Sequence, residues 1–233
     1  MKVSIVIAAK NEEKNISDCI ASVPFSDDVV VIDDYSTDKT AVIASELGAR
    51  VYKRKLDGFA SQKNFGIEKA KNDWVLILDA DERVSPALAK EIDDIAPAKT
   101  SAYSIPFKNH LGTHWLRYGG LYPDRHVRLF DKRKAKYGAR EVHEMLNISG
   151  DVEELSGDII HYTYKNYSEY WAKVRKYSKL EAQTRQNKPR YRHVVKEFIS
   201  RYLIQKGYKD GIDGLFSAIA LSFYLLLMRR EMR

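Results

Sequence analysis

The sequence predicts an α/β protein: a mostly parallel, doubly wound sheet flanked by helices, followed by a helical C-terminal extension. Short apolar runs alternate with helix signals through the first hundred residues, which is the rhythm of βαβ units. Near residue 100 that rhythm gives way to strand patterns separated by a loop rich in Gly, Tyr, His and Arg. Past Tyr164 the chain turns helical and basic.

Residues 3–9 are continuously apolar, as a strand buried on both faces requires. A helix is expected over 12–22 and a second strand over 29–32. Ser36, Thr37 and Asp38 then offer caps for a helix ending near Gly48. A short third strand follows at 50–53, a helix at 59–71 and an apolar fourth strand at 74–78. Ser85-Pro86 opens the next helix, with proline at its favoured first position. Strands are expected at 103–107, 126–130 and 159–164, and helices at 168–186, 192–206 and 214–230. The expected division is a catalytic domain over 1–164 and a basic helical extension over 165–233.

A single cysteine, Cys19, excludes an internal disulfide and fits a reducing compartment. The run 3–9 leads directly into Lys10-Asn11-Glu12-Glu13-Lys14, which is unlike a secretory signal. A cytoplasmic protein is expected. The net charge of +7 is unevenly placed. Residues 165–233 hold 16 Lys or Arg against 6 Asp or Glu, a balance of +10, leaving 23 against 26, or −3, for the rest. Such an arm suits an anionic partner. No helix-turn-helix, finger or RNA-binding aromatic motif accompanies it, which argues against nucleic acid. An anionic membrane surface fits better, because residues 214–228 are uncharged. As a helix that run spans about 22 Å, short of the ~20 residues needed to cross a bilayer. Peripheral attachment at the inner face of the cell membrane is expected, with docking on the protein body or on a second subunit of a homo-oligomer as the alternative.

Open α/β sheets bind ligands beyond the carboxyl ends of their strands. Three polar clusters fall there: Asn11-Glu12-Glu13, Asp33-Asp34 and Asp79-Ala80-Asp81-Glu82. If strand geometry persists through Ala80, Asp79 and Asp81 share a face, and two converging carboxylates call for a cation between them. Mg²⁺ or Mn²⁺ would meet that need and bridge to a diphosphate. No glycine-rich dinucleotide fingerprint follows the first strand and no P-loop is present.

The segments 4–12, 31–40 and 76–82 resemble the family 2 glycosyltransferases of GT-A fold. The stretches 58–64 and 119–124, with Arg128-Leu129-Phe130 and Val142-His143-Glu144, narrow the resemblance to small bacterial lipopolysaccharide core β-1,4-glucosyltransferases. That resemblance implies inverting transfer of a hexose, glucose from UDP-glucose, to a hydroxyl of a lipid-linked glycan such as lipopolysaccharide core. It places Asn11 and Glu12, with Asp33 or Asp34, at the nucleotide, Lys63 on the donor, and Asp79 with Asp81 at the metal on its diphosphate. His161 would complete the metal shell, although a lone strand histidine is more often structural.

The proton acceptor would lie downstream of the metal motif. Glu144 is the first candidate and Glu141 the second, with Asp124 as an outsider and His143 as a group that could orient a carboxylate. The loop 110–125, with Trp115, Tyr118 and Tyr122, suits sugar recognition. Two other classes remain: a nucleotidyltransferase, which should carry a Gly-rich, Arg-containing loop after its first strand, and a non-catalytic module binding sugar nucleotides or membranes.

Overall fold

The computed structural model describes residues 1–95, 100–138 and 146–232. In chain order the elements are β1 (Val3–Ala9), α1 (Ile16–Ala21), β2 (Asp28–Asp33), α2 (Thr40–Glu46), β3 (Arg50–Lys53), α3 (Phe59–Lys69) and β4 (Trp74–Asp79). Then come β5 (Glu82–Val84), α4 (Pro86–Asp94), β6 (Ala102–Leu111), β7 (His114–Trp115), β8 (Asp124–Asp131), β9 (Ala135–Tyr137), β10 (Leu146–Ile148), β11 (Val152–Glu154) and β12 (Ile159–Tyr164). The helices α5 (Tyr167–Thr184), α6 (Tyr191–Ile199) and α7 (Gly211–Glu231) complete the chain. It divides into two compact units, residues 1–107 with 125–161, and residues 108–124 with 162–233.

The first unit is built on a sheet of order β3-β2-β1-β4-β8-β6-β12-β5. β1 pairs in parallel with both β2 and β4, and β2 with β3. β8 runs antiparallel to β4, and β12 to β5. The parallel half explains the unbroken apolar runs. Ile5, Ile7, Leu76 and Leu78 pack into one core with Ile16 and Leu88. Their neighbours Val6, Val75 and Ile77 pack into a second core with Ile67 of α3. Alternate residues of one strand thus face different layers. Gly66 lets α3 approach the sheet, since a Cβ there would meet Val6 Cγ1 at 2.3 Å.

The chain leaves β1 to one side through β2 and β3, then returns to its other side as β4. That reversal makes the carboxyl ends of β1 and β4 a topological switch point, where such sheets open a ligand crevice. Ala8 stands opposite Asp79 in the register, at its rim.

One geometric expectation fails here. β4 ends at Asp79, residues 80 and 81 form a turn, and Glu82 already begins β5. Strand alternation therefore does not carry Asp79 and Asp81 onto one face. The turn is fixed by Arg83, whose Nη1 donates to the Ala80 and Glu82 carbonyls at 2.8 and 2.9 Å.

The second unit has its own core of Leu111, Leu116, Tyr170, Val174 and Ala220, with Trp171, Phe216 and Leu227 against it. The Asn166 side chain caps α5 by accepting from the Glu169 N–H at 2.9 Å. α6 runs into a π-helical turn, Ser200–Ile204, and a 3₁₀ turn, Gly207–Asp210, precedes α7. The apolar C-terminal helix is longer than the uncharged run 214–228 suggested. Gly207–Glu231 spans 25 residues, long and apolar enough by length and composition to cross a membrane. Shortness is therefore no argument against crossing. Gly214, Ser217, Ala218, Ala220 and Ser222 of α7 are buried, however, and small side chains let α5 and α6 pack closely against the helix.

Candidate active site

The crevice is framed first by the loops after β1 and β2. Asn11 takes a left-handed conformation (φ 55°), which Asn tolerates better than most residues. Its Oδ1 accepts from the Thr37 N–H at 2.8 Å, and its own N–H donates to Ser36 Oγ at 2.9 Å. The Glu12 N–H donates to Thr40 Oγ1 at 2.7 Å, so the two loops are laced together. Asp33 is fully buried and accepts from the Ser36 N–H. Asp34 is gripped by Lys10 Nζ at 2.6 Å and by the Leu56 N–H at 2.9 Å. The Lys10 hydrogen bond and the Leu56 amide hold its carboxyl below the usual range. Asn11, Glu12, Asp33 and Asp34 thus lie together at one end of the sheet, with much of their hydrogen bonding spent on shaping the rim.

Across the switch point lies the charged centre. Arg128, on β8, sends Nη2 to Glu82 Oε1 at 2.8 Å and to Asp79 Oδ2 at 3.4 Å. The Asp79 N–H donates to Glu82 Oε2 at 2.9 Å. Glu82 is sealed from solvent, whereas the Asp79 side chain keeps 40% exposure. Burial and the adjacent Asp79 push the Glu82 carboxyl up to about 7 despite its guanidinium partner. Asp79 is shifted the other way: burial favours the acid, but the charges of Arg128, Lys63 and His161 outweigh it. Glu82 therefore serves as a buried strut for Arg128, not as a rim acid of the kind its cluster suggested.

His161 Nε2 stands 3.6 Å from Asp81 Oδ2, a contact longer than a well-formed hydrogen bond. Burial disfavours the imidazolium, yet Asp81, Glu82 and Asp79 together raise the His161 pKa above its ordinary value. Adjacent ligands of an octahedral ion with bonds of roughly 2.1 Å sit about 3 Å apart, so Asp81 and His161 are spaced close to what one cation needs. Carboxylate oxygen and imidazole nitrogen are both acceptable donors to Mn²⁺. Among the described residues no three His, Cys, Asp or Glu side chains converge as a metal cage. Two protein donors suffice for an ion that keeps water and phosphate in its other positions. The structure thus brings Asp81 and His161 together and gives Asp79 to Arg128.

Lys63, on α3, has Nζ 5.5 Å from the Tyr137 ring, and its charge is felt at Asp79. Cys19 lies under the end of β4, its Sγ 3.7 Å from the Asp79 carbonyl, and burial raises its thiol pKa. Glu141, His143 and Glu144 lie outside the described residues. In the second unit, Asp124 accepts from Asn109 Nδ2 at 3.0 Å. Trp115 is flanked by Lys108 and Arg117, 4.9 and 5.2 Å from its ring, and meets Tyr122 edge-on.

Two groups in the centre received no role from sequence reasoning, Arg128 and Arg83. Arg128 left a signal. Along β8 it stands directly before the buried Leu129 and Phe130, so a permanently charged side chain sits at the point where the strand enters the core.

The sheet order, with acidic loops at its switch point, is that of an α/β protein of GT-A architecture. Residues 4–143 match Glycosyl transferase family 2, and the chain belongs to that family. An uncharacterized glycosyltransferase of Rickettsia bellii is 30% identical, over 100% of this chain and 86% of its own length. The lipopolysaccharide core biosynthesis glycosyltransferase LpsC of Rhizobium meliloti is 26% identical, over 97% of this chain and 90% of its own. Among solved structures, S. aureus TarS 1-349 superposes with a TM-score of 0.52 at 15% identity, covering 100% of this chain and 90% of that one, a likeness of fold.

Proposed function

We propose that this chain is an inverting hexosyltransferase that moves glucose from UDP-glucose to a hydroxyl of a lipid-linked glycan such as lipopolysaccharide core. The observation that carries the reading is the pairing of Asp81 with His161 beside Asp79, at the switch point and among cations. Membership of the family and the similarity to LpsC support a glycan acceptor. The laced loops of Asn11, Glu12, Asp33 and Asp34 bind the nucleotide. Asp81 and His161, with Asp79 beside them, would hold Mg²⁺ or Mn²⁺, which when bound supplies Lewis-acid neutralisation of the diphosphate.

This chain's own residues do the rest. Lys63 offers a positive charge to the donor phosphates. Arg128 holds Asp79 ionised and fixed. Glu144, or else Glu141, takes the proton from the acceptor hydroxyl as its oxygen bonds to the anomeric carbon and the bond to the diphosphate breaks. The enzyme works in the cytoplasm at the inner face of the membrane, where a lipid-linked acceptor is met.

Glu144→Gln tests the base. It should lower transfer by about 10²–10⁴-fold while nucleotide binding, measured by calorimetry, stays within a factor of about two. Full transfer by both Glu144→Gln and Glu141→Gln would remove the base from this stretch. A nucleotidyltransferase would instead join a sugar phosphate to a nucleoside triphosphate with release of pyrophosphate, an activity assayed in the same reactions.

A further inference from the structure

Residues 186–209 of the helical unit contain seven Lys or Arg and a single acid, Glu197, which Arg201 Nε already engages at 2.6 Å. Within this stretch α6 buries no residue completely. Its half-buried side carries Val194, Phe198 and, past the helix end, Tyr202, with the Phe198 and Tyr202 rings stacked at 5.5 Å. A second apolar row faces outward. Val195 is 60% exposed, Ile199 42%, Leu203 55% and Ile204 71%. A spacing of four sets Val195 and Ile199 on one helix face, and the π-helical turn continues the row with Leu203 and Ile204. Arg192, Lys196, Lys206 and Lys209 are exposed along it. A helix that has already committed one apolar side to its own unit leaves such a row in water only at a cost, and contiguous exposed apolar surface marks a contact site.

We infer that the outward row of α6 and its π-helical turn is an interfacial docking surface for an anionic lipid bilayer. Val195, Ile199, Leu203 and Ile204 enter the boundary between headgroups and acyl chains, and the flanking cations meet lipid phosphates. For its purpose the proposal rests on the reading of a lipid-linked acceptor. Charge selects the occupant. An apolar row edged by Lys and Arg is the pattern of helices that lie in an anionic interface. A second copy of this chain paired through the same patch would set like charges against each other, and nucleic acid would have no use for four aliphatic side chains in a row.

The test is co-sedimentation of the full chain with phosphatidylcholine vesicles, with and without phosphatidylglycerol, at low and high salt. Wild-type protein should pellet with the anionic vesicles and be partly released by salt. Val195→Ser/Ile199→Ser/Leu203→Ser should weaken that binding by roughly tenfold or more. Arg192→Glu/Lys196→Glu, at exposed positions that leave the apolar row intact, should weaken it several-fold on anionic vesicles alone. UDP binding by each variant shows that the catalytic unit is intact and keeps this proposal separate from the transferase reading. Equal vesicle binding by the triple variant, no preference of the wild type for anionic lipid, or a wild-type dimer that the triple variant makes monomeric would overturn it.

Discussion

Arg128 is the residue on which the charged centre turns. It is always protonated, nearly buried, and faces two carboxylates of which one has no access to water. Removing one partner of a buried pair costs about 3–5 kcal/mol, because the remaining charge is left uncompensated. Arg128→Met should therefore lower stability by roughly 3 kcal/mol in urea titration and slow transfer through loss of the fixed Asp79. Arg128→Met/Glu82→Gln should recover much of the stability without recovering the rate. If the single variant melts like wild type, the pair is not the strut described here. At this scale the sequence was partly legible. Asp79 and Asp81 announce themselves as carboxylates at the end of a strand, and His161 as a titratable side chain within one. Glu82 looks the same from its neighbours, and only the turn at residues 80–81 and the start of β5 turn it inward.

At the scale of elements, the parallel strands are joined at their entry end by Asp28. Its carboxylate accepts from Ser4 Oγ at 2.6 Å, from the Lys71 N–H at 2.8 Å and from Arg50 at 2.7 and 3.0 Å. One side chain thus ties β1, β2, β3 and the approach to β4. Burial favours the neutral acid, but these donors outweigh it and hold its pKa below the ordinary value. A carboxyl with a depressed folded-state pKa stabilises the fold fully above its unfolded value of about 3.9, and the contribution is lost as pH falls through the folded value. Asp28→Asn should be less stable at neutral pH by about 2–3 kcal/mol, and its stability should fall less steeply than that of wild type below about pH 4. Identical acid unfolding curves for the two proteins would contradict this.

The parallel strands were legible because a strand buried on both faces must be apolar throughout, as residues 74–78 are. β5, β9, β10 and β11, of three residues each, are too short to show any period. The break after α6 was equally hidden, since a π-helical turn keeps helical composition. The start of α7 was masked, for Asp213 is helical while lying outside the uncharged run from which a helix over 214–230 was expected.

Across the whole molecule, charge and chemistry are separated along the chain: the carboxylate-rich crevice belongs to the sheet-based unit and the basic surface to the helical one. The helical unit also takes in residues 108–124, an excursion that the loop's composition does not assign to it, because the packing of Leu111 and Leu116 with Tyr170 is visible only in three dimensions. As proposed above, Asp81 and His161 would hold a divalent cation on the donor diphosphate. Calorimetric titration of UDP into the protein, with Mn²⁺ and then with chelator, tests it most directly. Mn²⁺ should tighten UDP binding by at least about tenfold, or ~1.4 kcal/mol, and Asp81→Asn and His161→Ala should each abolish that gain while remaining folded. Equal affinity with metal and with chelator, or a full metal effect in both variants, would contradict it.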